Sequence, residues 1–146
     1  MSYLLDTNIC VYWLKGYENN ELKAIEMGLD SLSISFMTLS ELYYGAYKSK
    51  KINKNINSIE ILKKKLLIIE SNETICELFG KIKVSLRDNG NIIDDADIFI
   101  AACAISENVT LVTNNEKHFD RIEGLKIENW LSKTPSRQDT NHIHRT

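Results

Sequence analysis

The chain has 146 residues, 43% of them hydrophobic and 26% charged, with a formal net charge of −2. That balance fits one domain with a buried core and excludes bulk disorder, a collagen-like repeat and a generally basic, nucleic-acid-coating surface. No apolar run approaches the ~20 residues of a membrane helix, the opening residues carry no secretory pattern, and Cys10, Cys76 and Cys103 are too few and too scattered for a disulfide framework or a zinc site. A reducing cytoplasm is the expected compartment.

Tyr3-Leu4-Leu5 reads as a short buried strand ending in Asp6. Thr7 or Asn8 is expected to cap a helix from Ile9 to about Lys15, stopped by Gly16. A second helix is expected from Glu21 to Met27, ended by Gly28. Leu32 to Phe36 alternates as a strand does. Thr38-Leu39-Ser40-Glu41 fits a capping box that opens a helix running to about Lys50. Asn53 to Lys65 places Ile56, Ile59 and Leu62 at helical spacing, and Leu66 to Ile69 forms a short strand. Glu73 to Arg87 gathers Cys76, Phe79, Ile82 and Leu86 on one face of an amphipathic helix. After the loop Asp88–Asn91, Asp94 or Asp95 caps a helix from Ala96 to about Glu107. Val109–Thr113 is a strand, Glu116–Arg121 a short helix and Leu125–Ile127 a last strand. Residues 133–146, with the one proline and almost no apolar side chains, read as a loose tail, on which His142 and His144 are read as solvated rather than as metal ligands.

Apolar strands alternating with helices imply a parallel sheet covered on both faces, with the ligand site at the carboxyl ends of the strands. Four polar residues fall at that edge. Asp6 ends the first strand, Glu41 lies in the first turn of one helix, Asp97 in the first turn of another, and Asn115 just past the fourth strand. Ile98 to Ser106 contains no charge, so the helix behind Asp97 must be buried on most sides. A helix dipole favours a carboxylate at its start by only ~0.3–1 kcal/mol. Two like charges ~4 Å apart repel by about 4 kcal/mol at an effective dielectric near 20. Three carboxylates in one cleft therefore need a cation or a proton. Oxygen donors without Cys or His select a hard cation, Mg²⁺ or Mn²⁺.

Each residue also has a plainer reading. Glu41 can be the far half of its capping box, and Asp94, Asp95 and Asp97 can simply start a helix. Asn114-Asn115 can be a turn. Cys10 and Cys103 read as core, Trp13 and Trp130 as packing, and His118 beside Phe119 as structural. Lys48, Lys50, Lys51, Lys54, Lys63, Lys64 and Lys65, opposed only by Glu60, give a local charge of +6. They form either a solvated helix face or an arm that tracks phosphates, with Tyr43, Tyr44 and Tyr47 as stacking platforms for unpaired bases or as core.

Five motifs occur in order: Leu4-Leu5-Asp6-Thr7-Asn8; Thr38-Leu39-Ser40-Glu41-Leu42 with Tyr44-Gly45; Asp97 with Ile100-Ala101-Ala102; Leu111-Val112-Thr113-Asn114-Asn115 with His118-Phe119; and Gly124 to Trp130. Together they resemble the PIN-domain ribonucleases, in particular the VapC toxins of type II toxin–antitoxin systems. The resemblance spans residues 3 to about 131, and a PIN domain of residues 1–132 is assigned on it. It implies a PIN-like α/β/α sandwich with a mainly parallel sheet of four to five strands. It implies a Mg²⁺-dependent endoribonuclease whose metal-binding acids map onto Asp6 and Asp97, with Glu41 in support. Asn115 stands where the family often has Asp, and Asp95 (less well, Asp94) corresponds to an additional acid. Thr7 and Thr113 map onto pocket-lining hydroxyls. The resemblance further implies a VapB-type antitoxin, a toxin homodimer, higher assemblies with antitoxin, and an RNA substrate. The opening Leu5-Asp6-Thr7-Asn8-Ile9-Cys10 and the Glu41–Ser49 stretch look most like the subgroup that cuts initiator tRNA in the anticodon stem-loop.

The mechanism expected from these residues is metal-assisted phosphodiester hydrolysis leaving a 5′-phosphate and a 3′-hydroxyl. One rival reading is a phosphatase with Asp6 as nucleophile, although such sites want Asp where this chain has Asn8. The other is a non-catalytic RNA- or protein-binding module, for which Asn115 is the main argument.

Overall fold

The computed structural model describes residues 2–16, 26 and 28–130. The expected helix over 21–27 and the tail over 133–146 fall almost entirely outside those residues.

Five strands form one sheet: β1 (Tyr3–Leu5), β2 (Leu32–Ser35), β3 (Leu67–Ile69), β4 (Thr110–Val112) and β5 (Ile127–Glu128). Their order is β3-β2-β1-β4-β5 and every pairing is parallel, so all carboxyl ends share one edge. Six helices are described: α1 (Thr7–Leu14), α2 (Phe36–Tyr47), α3 (Ile52–Lys65), α4 (Glu73–Asp88), α5 (Asp95–Ser106) and α6 (Glu116–Phe119). The expected fold class, an α/β/α sandwich on a parallel sheet, is what forms.

The pleat of β1 sorts the core into two layers. Tyr3 and Leu5 pack with Ile9, Leu32, Ile34, Leu42, Ile59 and Trp130 on the face covered by α1, α2 and α3. Leu4, between them in sequence, joins Leu111, Ile75, Ile98, Ala101 and Phe119 on the face covered by α4 and α5. This is the period-2 consequence of a strand buried on both sides. In α5, Ile98 and Ile100 to Ala104 are all buried, as the uncharged run predicts, and Phe99 stacks on Phe79 at 4.1 Å. Cys10 and Cys103 are buried, whereas Cys76 is exposed. The face of α4 that packs inward is set by Ile75, Ile82 and Leu86, so Cys76, one step past Ile75, turns outward.

Two helix starts move for one reason: a side chain at a strand end takes over the cap. α1 starts at Thr7, and its cap is Asp6, whose Oδ1 accepts from the Thr7 N–H at 2.8 Å. α2 starts at Phe36, because Ser35 accepts from the Thr38 N–H at 3.0 Å. The capping box expected at Thr38–Glu41 therefore does not form, and Glu41 stands in the second turn. In β2 the alternation of residue types is not an alternation of burial. Ser33 and Ser35 are buried like their apolar neighbours, with the Ser33 hydroxyl donating to the Tyr3 carbonyl at 3.0 Å.

Candidate active site

Asp6 is the first residue beyond β1, the central strand, and is only 3% exposed. Both of its oxygens are held. Oδ1 accepts from the Thr7 N–H and Oδ2 accepts from the Thr113 hydroxyl at 2.7 Å. Thr113 follows β4, the neighbour of β1, and its hydroxyl in turn accepts from the Asn115 N–H at 2.9 Å. Register dictates this meeting: Leu5 is opposite Val112, so the next residues, Asp6 and Thr113, leave the sheet side by side.

Glu41 reaches the same edge from α2. Its Oε1 accepts from the Thr7 hydroxyl at 2.7 Å, and Thr7 Oγ1 lies 3.0 Å from buried Thr38 Oγ1. A residue of the first helix thus fixes the acid of the second, a task unrelated to capping.

Asp97 stands in the first turn of α5, half-buried. Its Oδ2 lies 3.1 Å from His118 Nδ1. A carboxylate only accepts, so Nδ1 carries the proton in this contact. The residue-by-residue reading of the sequence gave His118 a structural role. Its position one helical turn after Asn115, at the carboxyl end of β4, is the signal that places it here.

The electrostatics tie the acids together. Burial raises the Asp6 carboxyl above its ordinary range, the hydrogen bonds from Thr113 and Thr7 oppose that shift, and the charge of Asp97 adds to it. Burial also raises Asp97, His118 opposes, and the charges of Glu41 and Asp94 raise it further. No Lys or Arg contributes to either shift.

Asp95 is turned elsewhere. It pairs with Lys83 of α4 at 2.9 Å, with both side chains more than half exposed. Asp94 occupies the cap position of α5 without a side-chain cap bond, and its charge is felt at Asp97. Asn115 contributes its backbone N–H to the Thr113 hydroxyl. Its neighbour Asn114, read in sequence only as a turn residue, has a buried Oδ1 with no hydrogen-bond partner, while its Nδ2 reaches the Tyr12 hydroxyl at 3.5 Å. Among the described residues no three Asp, Glu, His or Cys side chains already stand in a closed metal-binding group.

The PIN domain family model matches residues 3–125. Ribonuclease VapC2 of Rickettsia felis is 40% identical over 132 residues, covering 89% of this chain and 98% of that protein. The chain belongs to the VapC ribonucleases of the PIN-domain family. The tRNA(fMet)-specific endonuclease VapC of Shigella flexneri is 31% identical over 130 residues, covering 89% of this chain and 98% of that one. Among solved structures, VapBC2 of Rickettsia felis bound to a promoter DNA fragment superposes with a TM-score of 0.83 at 39% identity, covering 89% of this chain and 99% of that one. The VapC assignment makes the chain an endoribonuclease, as the sequence motifs imply, and removes the phosphatase reading. The sequence agrees on that point: Asn8 stands where a second Asp would be required. No described helix is long and apolar enough to cross a membrane.

Proposed function

We propose that Asp6, Glu41 and Asp97 are the acids with which this VapC ribonuclease hydrolyses RNA, and that they do so with a divalent cation, Mg²⁺ or Mn²⁺. One observation carries the reading. Burial raises the carboxyls of both Asp6 and Asp97, the charge of Asp97 raises Asp6 further, and the charges of Glu41 and Asp94 raise Asp97 further. The only opposing side-chain charge is that of His118, with no Lys or Arg beside it. Hard oxygen donors in that state fit a hard divalent ion.

Asp6 and Asp97 would hold the ion. A cation bound there supplies Lewis acidity toward a phosphate oxygen and lowers the pKa of a nearby water. The remaining work belongs to side chains. Thr113 and the Thr7 N–H hold Asp6 in one orientation, and His118 fixes one oxygen of Asp97, leaving the other to the cleft. Glu41, held by the Thr7 hydroxyl through one oxygen, has a second oxygen to accept a proton from the attacking water. In-line attack leaves a 5′-phosphate and a 3′-hydroxyl. Asp95, paired with Lys83, takes no direct part. Asn115 acts through its backbone and supplies at most a neutral oxygen.

Initiator tRNA is the proposed substrate, on the likeness to the Shigella flexneri enzyme and on the sequence motifs. A cognate VapB-type antitoxin and a homodimer are proposed on the likeness to VapBC complexes such as that of Rickettsia felis. Incubation of purified protein with bulk tRNA tests the activity. A discrete fragment with a 5′-phosphate end is expected with Mg²⁺, and none with EDTA or with Asp6→Ala. Cleavage that persists in EDTA, 2′,3′-cyclic phosphate ends, or full activity of Asp6→Ala would refute the assignment. Binding without any cleavage, unrepaired by Asn115→Asp, would leave the non-catalytic module as the answer.

A further inference from the structure

The lysine-rich segment does not act as one unit in the fold. Lys63, Lys64 and Lys65 occupy the last turn of α3 and lead into the amino end of β3. Since all strands are parallel, that is the sheet edge opposite the acids. Lys63 is also engaged, with Tyr43 Oη at 3.4 Å and Glu60 Oε1 at 3.4 Å. Lys48, Lys50, Lys51 and Lys54 belong instead to the end of α2, the turn after it and the start of α3.

That end of α2 continues the helix that carries Glu41. Tyr44 follows Glu41 by three positions and Lys48 by seven, so all three lie along one stripe. At ~1.5 Å rise per residue, Tyr44 is ~4.5 Å and Lys48 ~10.5 Å along the axis from Glu41. The stripe is open. Tyr44 is 68% and Tyr47 63% exposed, an unusual solvation for two aromatic rings on one helix. Lys48 Nζ sits 4.9 Å from the centroid of the Tyr44 ring, and Tyr47 lies stacked at 6.4 Å on Tyr43. Core packing accounts for Leu42 and Ala46 on the opposite side of the helix, and for none of this ridge.

We infer that the α2 ridge, Tyr44, Tyr47 and Lys48 with Lys50 and Lys51 beyond, binds unpaired nucleotides flanking the scissile phosphate. The proposal rests on the ribonuclease reading for its substrate class and adds where the strand runs. Exposed aromatic faces stack on bases whatever their identity, and lysines alongside pair with successive phosphates. Charge selects the occupant. A pocket of three acids repels a polyanion, so substrate must be held by something outside it, and the tip of α2 concentrates positive charge in a chain of net charge −2. Duplex RNA would hide its base faces from the tyrosines, so the ridge favours single strands, loops and bulges.

Fluorescence anisotropy tests the inference without cleavage. The full chain, free of antitoxin and in EDTA, is titrated with a labelled 20-nucleotide RNA of mixed sequence, single-stranded or annealed to its complement. Tyr44→Ala should weaken binding of the single strand about tenfold, within the range for one stacked base, and Tyr44→Phe should restore it. Lys48→Gln should flatten the slope of log K against log salt by about 0.7, one phosphate contact. The duplex should bind more weakly and ignore Tyr44→Ala. In Mg²⁺, Tyr44→Ala should raise KM and leave kcat unchanged. Equal affinity of wild type and Tyr44→Ala for the single strand would overturn the inference. So would loss of antitoxin binding by Tyr44→Ala with RNA affinity intact, which would assign the ridge to the protein partner. Because binding is read in EDTA, absence of cleavage would sink the nuclease mechanism while leaving the ridge to be judged on its own.

Discussion

Strand β1 ends where the character of the molecule changes. Leu4 and Leu5 are completely buried, flanked by strands on both sides and covered by helices on both faces. Asp6, one residue later, is almost as buried, yet it carries a carboxyl that burial, with the nearby charge of Asp97, makes expensive to ionise. The interior of the sheet is built so that every apolar contact supports the fold. The carboxyl edge gathers groups that oppose one another and are held in place by threonines and a histidine. A protein that only needed to fold would place Asn or Ser at these positions. The contrast teaches that the sheet's interior supplies the stability its edge uses up, as expected where activity needs a strained electrostatic site.

Substitutions on the two sides of this boundary should therefore behave oppositely. Leu4→Ala opens a cavity between α5 and the sheet and should cost about 2–5 kcal/mol of stability, read by denaturant unfolding, with kcat of the folded enzyme unchanged. Asp97→Asn should reduce cleavage more than about 100-fold, beyond the typical 10- to 100-fold cost of losing an outer partner of a metal ligand, measured with saturating tRNA in Mg²⁺. Thr113→Val keeps the shape but removes the donor to Asp6 Oδ2. It should cost about 10- to 100-fold in cation affinity, measured by calorimetric titration with Mn²⁺, and destabilise the fold by about 1–3 kcal/mol. Asp95→Asn breaks only an exposed pair with Lys83, so stability should change by less than about 1 kcal/mol and cleavage hardly at all. A large effect of Asp95→Asn on kcat would place it back among the acids.

The interior was the more legible side. Apolar runs at Tyr3–Leu5 and Val109–Thr113, and the uncharged stretch after Asp97, report burial directly, because burial on both faces demands an apolar side chain at nearly every position. Asp6 was legible as an acid closing such a strand. What sequence spacing could not supply was who holds whom. Glu41 looked like a capping residue because Ser35, three positions before Thr38, looked like part of a strand. His118 looked structural because its contact with Asp97 crosses 21 positions. Cys76 was placed inward because a one-residue error in helix phase is about 100° of rotation. The lysine segment read as one patch because sequence proximity hides the opposite ends to which α3 carries it.

The sign of the electrostatic penalty gives the most direct test. Asp97 titrates higher in the folded chain than in the unfolded one. Without metal, the folded state therefore binds the proton more tightly, and stability falls as pH rises from below the ordinary carboxylate range through the raised folded value. At neutral pH the full penalty is present, and a neutral side chain or a bound cation should relieve it. Scanning calorimetry of wild type and Asp97→Asn at neutral pH, in EDTA and in Mg²⁺, measures this. The account predicts that in EDTA Asp97→Asn melts above wild type, that Mg²⁺ raises the wild-type Tm, and that Mg²⁺ leaves the variant nearly unmoved. A variant that melts below wild type in EDTA, or responds to Mg²⁺ as wild type does, would contradict it.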